Sequence, residues 1–384
     1  IMPSLVGSEM CIRDRYMTNY DKIIENLNAK LRKELSMQPN QPIWEEPVYS
    51  GSQIQKAGKI LSSSEQSSQE YQTALKILNN WRSSHAYPLH VINITLKHQN
   101  PNSIVVQRLK RLDSILGKIE RFPSMNLYKM QDIGGCRVIS DSIKDVYEAI
   151  NIYKSSRVRH KLIKETDYIK NPKESGYRSY HMIYQFHSDK KETYNKNMFV
   201  EIQFRTKLQH VWATAVEMMG IYTKSNLKSS QGNKDILRFF TVASSIFAIQ
   251  EKQPVCPNTS NSLKELITEI HELDQRHNIL KMLEAIKNAA HIIEPKYKNT
   301  NGYFLLVLDL EDHNLTVSMY KPSEIQLAIN IYNEIEKRNN PLINTVLVCA
   351  NSFITLKNAY PNYFMDITEF LNNIKQLYRQ SLLI

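Results

Sequence analysis

Asp132 and Glu201 are the two carboxylates around which phosphate chemistry could be assembled in this chain. Asp132 stands beside Gly134-Gly135, and Glu201 lies in the run Val200-Glu201-Ile202-Gln203-Phe204-Arg205-Thr206. A strand repeats every second residue, so Glu201, Gln203 and Arg205 would share the face opposite Val200, Ile202 and Phe204. Hard cations take one or two carboxylates together with substrate phosphate oxygens, so Asp132 and Glu201 read as joint ligands of Mg²⁺. Arg108, Lys110 and Lys118 precede them and offer phosphate-binding charge, while Arg137 and Arg205 follow the acids closely; guanidinium groups match phosphate geometry. A second stretch, Asp167 to His181, places Tyr177 directly after Gly176 in a loop that follows Pro172. That predicts an exposed ring on which a base could stack, with Lys173 and His181 as polar partners for base, ribose or phosphate. Moving a phosphoryl or pyrophosphoryl group needs positioned oxygens, a divalent ion and cations on the developing charge, and each part is present.

Each residue also has a plainer reading. Asp132 could cap a turn or pair with Arg137, and Glu201 could pair across strands with a lysine. Tyr177 could be a half-buried loop aromatic and His181 a satisfied core histidine.

The elements that must position these groups follow from periodicity. Apolar residues at 105, 109, 112, 116 and 119 form a helical stripe from Val105 to Ile119, which puts Lys110, Arg111, Ser114 and Lys118 on one flank and Arg108 near the stripe's edge. Asp132 to Ser140 reads as a turn into a strand, followed by a helix over 143–155 and strands at 160–169, 179–188 and 198–206. A helix over 208–222, a polar loop over 225–235 and an apolar helix to about 252 come next. Residues 253–262 read as a linker, and Ser262 with Glu265 has the capping-box spacing that opens a long helix to about Glu294. After a second linker, 296–302, the tail reads strand (303–310), strand (314–320), helix (323–338), strand (344–349) and helix (363–380). Near the beginning, Pro39, Pro42 and Pro47 break any long helix. Tyr71, Ala74, Leu75, Leu78 and Trp81 then mark one helix face, and Pro88 marks the next break.

A chain of 384 residues has room for two or three domains, and its 42% hydrophobic and 23% charged content is that of a soluble protein. The net charge of +11 suits an acidic partner such as nucleotide or RNA, and equally a solubilising surface. Cys11, Cys136, Cys256 and Cys349 have neither metal-ligand nor disulfide spacing, which fits a reducing cytoplasm. No apolar run approaches the roughly 20 residues of a membrane span, and neither a lipidation signal nor a signal-peptide order is present. Pro3 to Arg15 resembles a translated sequencing adapter, so residues 1–16 are set aside and Met17 is read as the start.

The ordered set of motifs resembles the synthetase domain of the RelA/SpoT family. It comprises Arg108-x-Lys110 with Ser114-Ile115 and Lys118; Asp132-Ile133-Gly134-Gly135-Cys136-Arg137; Asp167-Tyr168-Ile169 through Pro172-Lys173, Gly176-Tyr177, Ser179 and His181; and Glu201 to Thr206 followed by His210, Trp212 and Ala213. The resemblance implies an α+β fold, a mixed nucleotidyltransferase-like sheet flanked by helices. It also implies transfer of pyrophosphate from ATP to the 3′-hydroxyl of GDP or GTP. Asp132 and Glu201 would be the catalytic pair and hold Mg²⁺, with Glu201 helping to deprotonate the hydroxyl. Arg108, Lys110, Ser114, Lys118, Arg137, Lys173, Tyr177, His181, Gln203 and Arg205 would bind nucleotide. Thr166 and Ser175 depart from the family's usual lysine and asparagine on the acceptor side, which leaves adenine nucleotides or the 3′-CCA end of tRNA as alternative acceptors. A non-catalytic nucleotide-binding module is a third reading. No His-Asp dipeptide of the family's hydrolase domain occurs. The expected organisation is an artefact at 1–16, a mainly helical extension at 17–99, the synthetase domain at 100–252, a linker and long helix at 253–302, and a small α/β module at 303–384. That last module would serve an antitoxin, a regulatory protein or an oligomer contact.

Overall fold

A computed structural model describes residues 19–381, apart from 35–41, 43, 64, 66, 123, 224–231, 289–290, 293–300, 313 and 339. Residues 1–16 with Met17, Pro39, and parts of the expected loop at 225–235 and linker at 296–302 lie outside the described residues. Helices come first: α1 (Asn19–Glu34), α2 (Gly51–Ser63), α3 (Gln69–Ser84) and α4 (Ala86–Gln99). The Ser68 hydroxyl caps α3 by accepting from the Tyr71 amide. The break expected at Pro88 falls instead at His85, and Pro88 sits in the first turn of α4, where a missing N–H costs nothing.

The helical stripe expected from Val105 onward is two elements. Ile104–Leu109 is a strand, β1, and only Leu112–Arg121 is a helix, α5. The β-branched run Ile104-Val105-Val106 favours the pleated conformation. Val105 and Leu109 are buried strand residues that happen to continue the spacing of the helical Leu112, Ile115 and Ile119. The expected central elements then appear in order: β2 (Gly134–Ser140), α6 (Ile143–Ser155), β3 (Lys161–Asp167), β4 (Tyr180–Gln185), β5 (Phe199–Thr206), α7 (Lys207–Tyr222) and α8 (Lys234–Gln250). The long helix expected after Ser262 is broken into α9 (Leu263–His277) and α10 (Ile279–Asn288), because Asn278 adopts a left-handed φ of 53° and ends the first. A short strand β6 (His291–Ile292) follows. The tail supplies β7 (Gly302–Asp309), β8 (Asn314–Tyr320), α11 (Ile325–Glu336), β9 (Ile343–Ala350), α12 (Phe353–Ala359) and α13 (Thr368–Ser381). Helix α12 was not anticipated, and α13 begins later than expected, after a turn through Pro361.

Among the described residues, nine strands join one mixed sheet, in the order β3-β4-β5-β2-β1-β9-β7-β8-β6. β2 runs parallel to β5 and β6 parallel to β8, while the other pairs are antiparallel. The tail, expected as a small α/β module, adds its strands to this sheet through the pairing of β1 with β9 at Gln107↔Cys349 and Arg108↔Val348. One face of the sheet packs on α1–α4, α5, α6 and α11. The other packs on α7–α10, α12 and α13. Alternation along β1 divides the two cores, with Val105 in the first and Val106 in the second.

A buried ion pair ties the beginning of the chain to the tail. Arg82 on α3 is 0% exposed and meets Glu336 at the end of α11. Its Nη2 donates to Asn333 Oδ1 at 2.6 Å, and its guanidinium carbon lies 4.6 Å from the centre of the Tyr332 ring. Glu336 also accepts from the Leu112 amide at 3.0 Å, so α5 is fixed by the same group.

Candidate functional site

Strand register assembles the site. Across the sheet, His181 of β4 lies opposite Gln203 of β5, and Gln203 lies opposite Arg137 of β2. One register step away, Glu201 lies opposite Gly135, and Gly135 lies opposite Arg108 of β1. Met182, Val200, Ile202, Phe204, Cys136, Val138, Val105 and Leu109 belong to the first core. Alternation sends their neighbours His181, Glu201, Gln203, Arg205, Arg137 and Arg108 to the opposite face. Gly135 carries no side chain between Arg108 and Glu201, and the nearest atom a Cβ there would meet is the Glu201 carbonyl oxygen at 3.9 Å. The gap is part of a cleft of about 140 Å³ lined by Arg108, Lys110, Asp132, Gly135, Cys136, Arg137, Glu201, Gln203 and Tyr360.

Asp132 lines this cleft. Its two carboxylate oxygens accept from Lys110 Nζ at 3.0 Å and Lys118 Nζ at 2.9 Å. Lys110 follows β1, where its amide donates to the Ile133 carbonyl at 2.8 Å, and Lys118 reaches over from α5. Asp132 thus pairs with two lysines, where the plainer expectation was Arg137. Burial pushes the Asp132 carboxyl up, but Lys110 and Lys118 outweigh it and hold the group below its ordinary value. Burial also lowers the Lys110 ammonium, against the pull of Asp132 and with the repulsion of Arg108 and Lys118. The two directions agree physically: the carboxylate has two cations, whereas Lys110 shares one carboxylate and faces two cations.

Glu201 lines the same cleft and is fixed by its own pair of bonds. Its Oε1 accepts from His181 Nδ1 at 2.9 Å and its Oε2 from Gln203 Nε2 at 2.7 Å, so its partner is a histidine where a cross-strand lysine was the plainer expectation. A carboxylate only accepts, so Nδ1 carries the imidazole proton. On its other side the ring meets Tyr177, whose hydroxyl oxygen lies 2.8 Å from His181 Nε2. Burial raises Glu201, and the bonds and charge of His181 reverse this, leaving it below the usual carboxylate range. Burial raises the Tyr177 phenol, which keeps it a donor at neutral pH.

The loop that delivers Tyr177 is held by backbone and buried side chains. Asp167 accepts from the amides of Ile169 and Lys170 at 2.9 and 3.0 Å, and the Gly176 amide donates to the Lys173 carbonyl at 2.9 Å. Gly176 has φ of +88°, a conformation that glycine adopts without strain. Buried Arg178 donates to Ser244 Oγ and the Ile169 carbonyl at 3.0 and 3.1 Å. Tyr177 is consequently half-buried, and the freely exposed ring expected from the loop composition is not present. Lys173 Nζ lies 4.6 Å from the centre of the Tyr168 ring and 5.4 Å from that of Tyr177. Tyr168 also meets the His181 ring edge-on, with centroids 5.3 Å apart.

Of the residues singled out from the sequence, Arg108, Lys110, Asp132, Arg137, Glu201 and Gln203 line the cleft. Lys118 reaches it through Asp132, and Tyr177 and His181 through Glu201. Lys173 covers the rings of Tyr168 and Tyr177. Arg205 is buried, and burial with the charges of Arg137 and Arg108 lowers it well below an ordinary guanidinium. Ser114 is half-buried on α5 and is not among the residues lining the cleft. Sequence reading missed Tyr168 and Tyr360. Tyr168 belongs to the Asp167-Tyr168-Ile169 motif, which by itself does not tell where the ring packs. Tyr360 carries no local signal, because its approach to the cleft depends on the position of β9 beside β1.

Among the described residues, no cluster of three or more His, Cys, Asp or Glu side chains forms a metal cage. Asp132 and Glu201 lining one cleft, both held ionised, do fit a hard cation that completes its shell with phosphate oxygens and water. Among the described residues, no helix is long and apolar enough to cross a membrane.

Residues 107–227 match the family model described as the region found in RelA / SpoT proteins. The GTP pyrophosphokinase YjbM of Bacillus subtilis (strain 168) is 33% identical over 132 residues, which cover 33% of this chain and 61% of that protein. The GTP pyrophosphokinase YwaC of the same organism is 33% identical over 134 residues, with the same coverage of 33% and 61%. The chain therefore spans about three-fifths of the length of these curated relatives. Among solved structures, small alarmone synthetase 1 from Bacillus subtilis bound to its product pppGpp aligns over 44% of this chain and 89% of its own, with 24% identity and a TM-score of 0.38. An overall likeness of that size carries no weight by itself.

Proposed function

We infer from the RelA/SpoT-family synthetase domain carried by residues 107–227 that this protein transfers pyrophosphate from ATP to the 3′-hydroxyl of GDP or GTP. The observation that carries the reading is the shared cleft. Two carboxylates held ionised, Asp132 and Glu201, face Arg108, Lys110 and Arg137 in it, and Glu201 is linked through His181 to an aromatic ring. In this reaction the acceptor oxygen bonds to the β-phosphorus of ATP. The bond from that phosphorus to the α–β bridging oxygen breaks, AMP leaves, and the hydroxyl proton is lost. Such a transfer asks a protein for positioning and charge more than for covalent chemistry.

Arg108, Lys110 and Arg137 would grip the ATP phosphates, and Lys118 would hold Asp132 in place. Asp132 and Glu201 would hold Mg²⁺, which when bound neutralises phosphate charge between them. A carboxylate held below its usual range is a weak base, so Glu201 contributes chiefly by holding charge and orienting the acceptor. The Tyr177 ring, steadied by His181 and Lys173, would offer a face to the acceptor base.

The test uses the purified chain with Mg²⁺, ATP labelled on its γ-phosphate, and separately GDP, GTP, AMP or bulk tRNA. Label is expected on GDP or GTP. Asp132→Asn and Glu201→Gln should each lower transfer at least about 10²-fold, the loss usual for a key electrostatic group, with the fold retained. Label on tRNA or AMP alone would reassign the acceptor. No transfer to any acceptor would overturn the reading.

A further inference from the structure

The residues after β9 pack on the elements that carry the cleft. The Asn358 carbonyl accepts from His210 Nε2 at 3.0 Å, and the Ala359 carbonyl from Arg137 Nη1 at 3.3 Å. The Arg137 guanidinium carbon lies 5.8 Å from the centre of the Tyr360 ring. The Tyr360 hydroxyl donates to the Gln107 carbonyl at 3.3 Å, across β1. Two residues on, Asn362 Nδ2 donates to Glu217 Oε1 of α7 at 3.1 Å. These contacts come from a segment well outside residues 107–227, yet Tyr360 lines the cleft beside Arg108 and Arg137.

Arg137 needs such support. It is an arginine beside Arg108 and Arg205, and burial together with the repulsion of Arg108 weakens its hold on charge. A guanidinium so placed would swing away from its neighbours unless something fixes it. An aromatic face and a carbonyl supply attraction without adding negative charge, so the cleft keeps its affinity for an anion. Arg108, Lys110, Lys118, Arg137 and Arg205 still outnumber Asp132, Glu201 and Glu217 around it.

We propose that Tyr360 is a positioning residue of the cleft. It fixes the Arg137 guanidinium toward a bound polyphosphate, so a segment C-terminal to the RelA/SpoT region sets affinity for the donor nucleotide. The identity of that donor as ATP rests on the function proposed above. The positioning of Arg137 toward a polyphosphate does not.

The experiment measures calorimetric binding of inorganic tripolyphosphate and of a non-transferable ATP analogue to the full chain. Wild type is compared with Tyr360→Leu, Tyr360→Phe, Arg137→Ala and the Tyr360→Leu/Arg137→Ala pair; Tyr360→Met, closer in volume, stands in if Tyr360→Leu does not fold. Tyr360→Leu should weaken both ligands by about tenfold and raise KM for ATP with kcat within about twofold, the scale of one desolvated cation–π contact. Tyr360→Phe keeps the ring and removes only the hydroxyl bond to Gln107, so it should bind within about twofold of wild type, whereas a role carried by that bond would weaken it as Tyr360→Leu does. In the Arg137→Ala background Tyr360→Leu should add nothing, as expected when one residue acts through the other. Unchanged binding in Tyr360→Leu, or an undiminished effect in the Arg137→Ala background, overturns the proposal and leaves the proposed function standing. Tripolyphosphate binding lost in Tyr360→Leu, in a protein that transfers nothing, would uphold the proposal and remove the function. A wild type that binds neither ligand would overturn both.

Discussion

Gly176→Ala should cost stability and displace the Tyr177 ring together. Gly176 has φ of +88°, and a Cβ there would lie 2.9 Å from Trp212 Cζ2, 3.0 Å from Ser244 Cβ and 3.2 Å from the Thr241 Cα. The positive φ costs an L-residue roughly 1–2 kcal/mol. Forcing a methyl against a buried indole and the backbone of α8 adds about 1–3 kcal/mol. Together they give roughly 2–5 kcal/mol. With an unfolding entropy of about 2.1 cal/mol/K per residue, a chain of this length would lose on the order of 3–6 °C in its melting temperature. The carbonyl of Gly176 accepts from Ser244 Oγ at 2.6 Å, and Tyr177 follows directly, so relief of the clash must move the ring bonded to His181. Scanning calorimetry reads the first effect, and the KM values for acceptor and ATP read the second, with only the acceptor value rising. Gly117→Ala is the control, since its Cβ would meet only the end of the Arg121 side chain at 3.7 Å. That exchange, inside α5, should gain about 0.5–1 kcal/mol. A Gly176→Ala protein that melts within about 1 °C of wild type, well below the expected shift, would refute the reasoning.

Further outcomes follow from the buried polar groups. His85 is 0% exposed, its Nδ1 donates to the Trp81 carbonyl at 2.7 Å, and burial pushes its pKa down from 6.5 to about 4. A base depressed in the folded state gives stability that is complete above its unfolded value and is lost as pH falls toward the folded one. Between pH 7.5 and 5 this one group should cost about 2 kcal/mol. Urea unfolding of wild type and His85→Gln at both pH values checks it, and identical pH dependence would dismiss the assignment. Arg82→Met should destabilise by about 3–5 kcal/mol, because Glu336 is left charged and buried without its partner. The pair Arg82→Met/Glu336→Leu should recover most of that loss in the same unfolding assay.

Much of the site could be read from local pattern. The alternation Val200 to Arg205 identified β5 and the face carrying Glu201 and Gln203, and Gly134-Gly135 marked the entry to β2 beside Asp132. Both signals are local because a strand's period and a glycine turn are encoded within a few residues. Reading failed at Val105, where the last residues of a strand and the first turns of a helix shared one spacing; the β-branched run Ile104-Val105-Val106 was the stronger clue. It failed again at Tyr177, whose placement depends on the packing of Gly176 against Trp212 and Ser244 and on the hydroxyl's bond to His181, all drawn from other elements. Residue types and their order along the chain pointed to the chemistry proposed above and specified the strands β2 and β5 that bear it. Tertiary structure alone decided that Lys110 and Lys118 meet on Asp132, that β9 lies beside β1, and that Tyr360 packs on Arg137 from more than two hundred residues away. Periodicity tells a residue which face it occupies, whereas burial of whole sheet edges and helices, summed over distant segments, decides which neighbour it finds there.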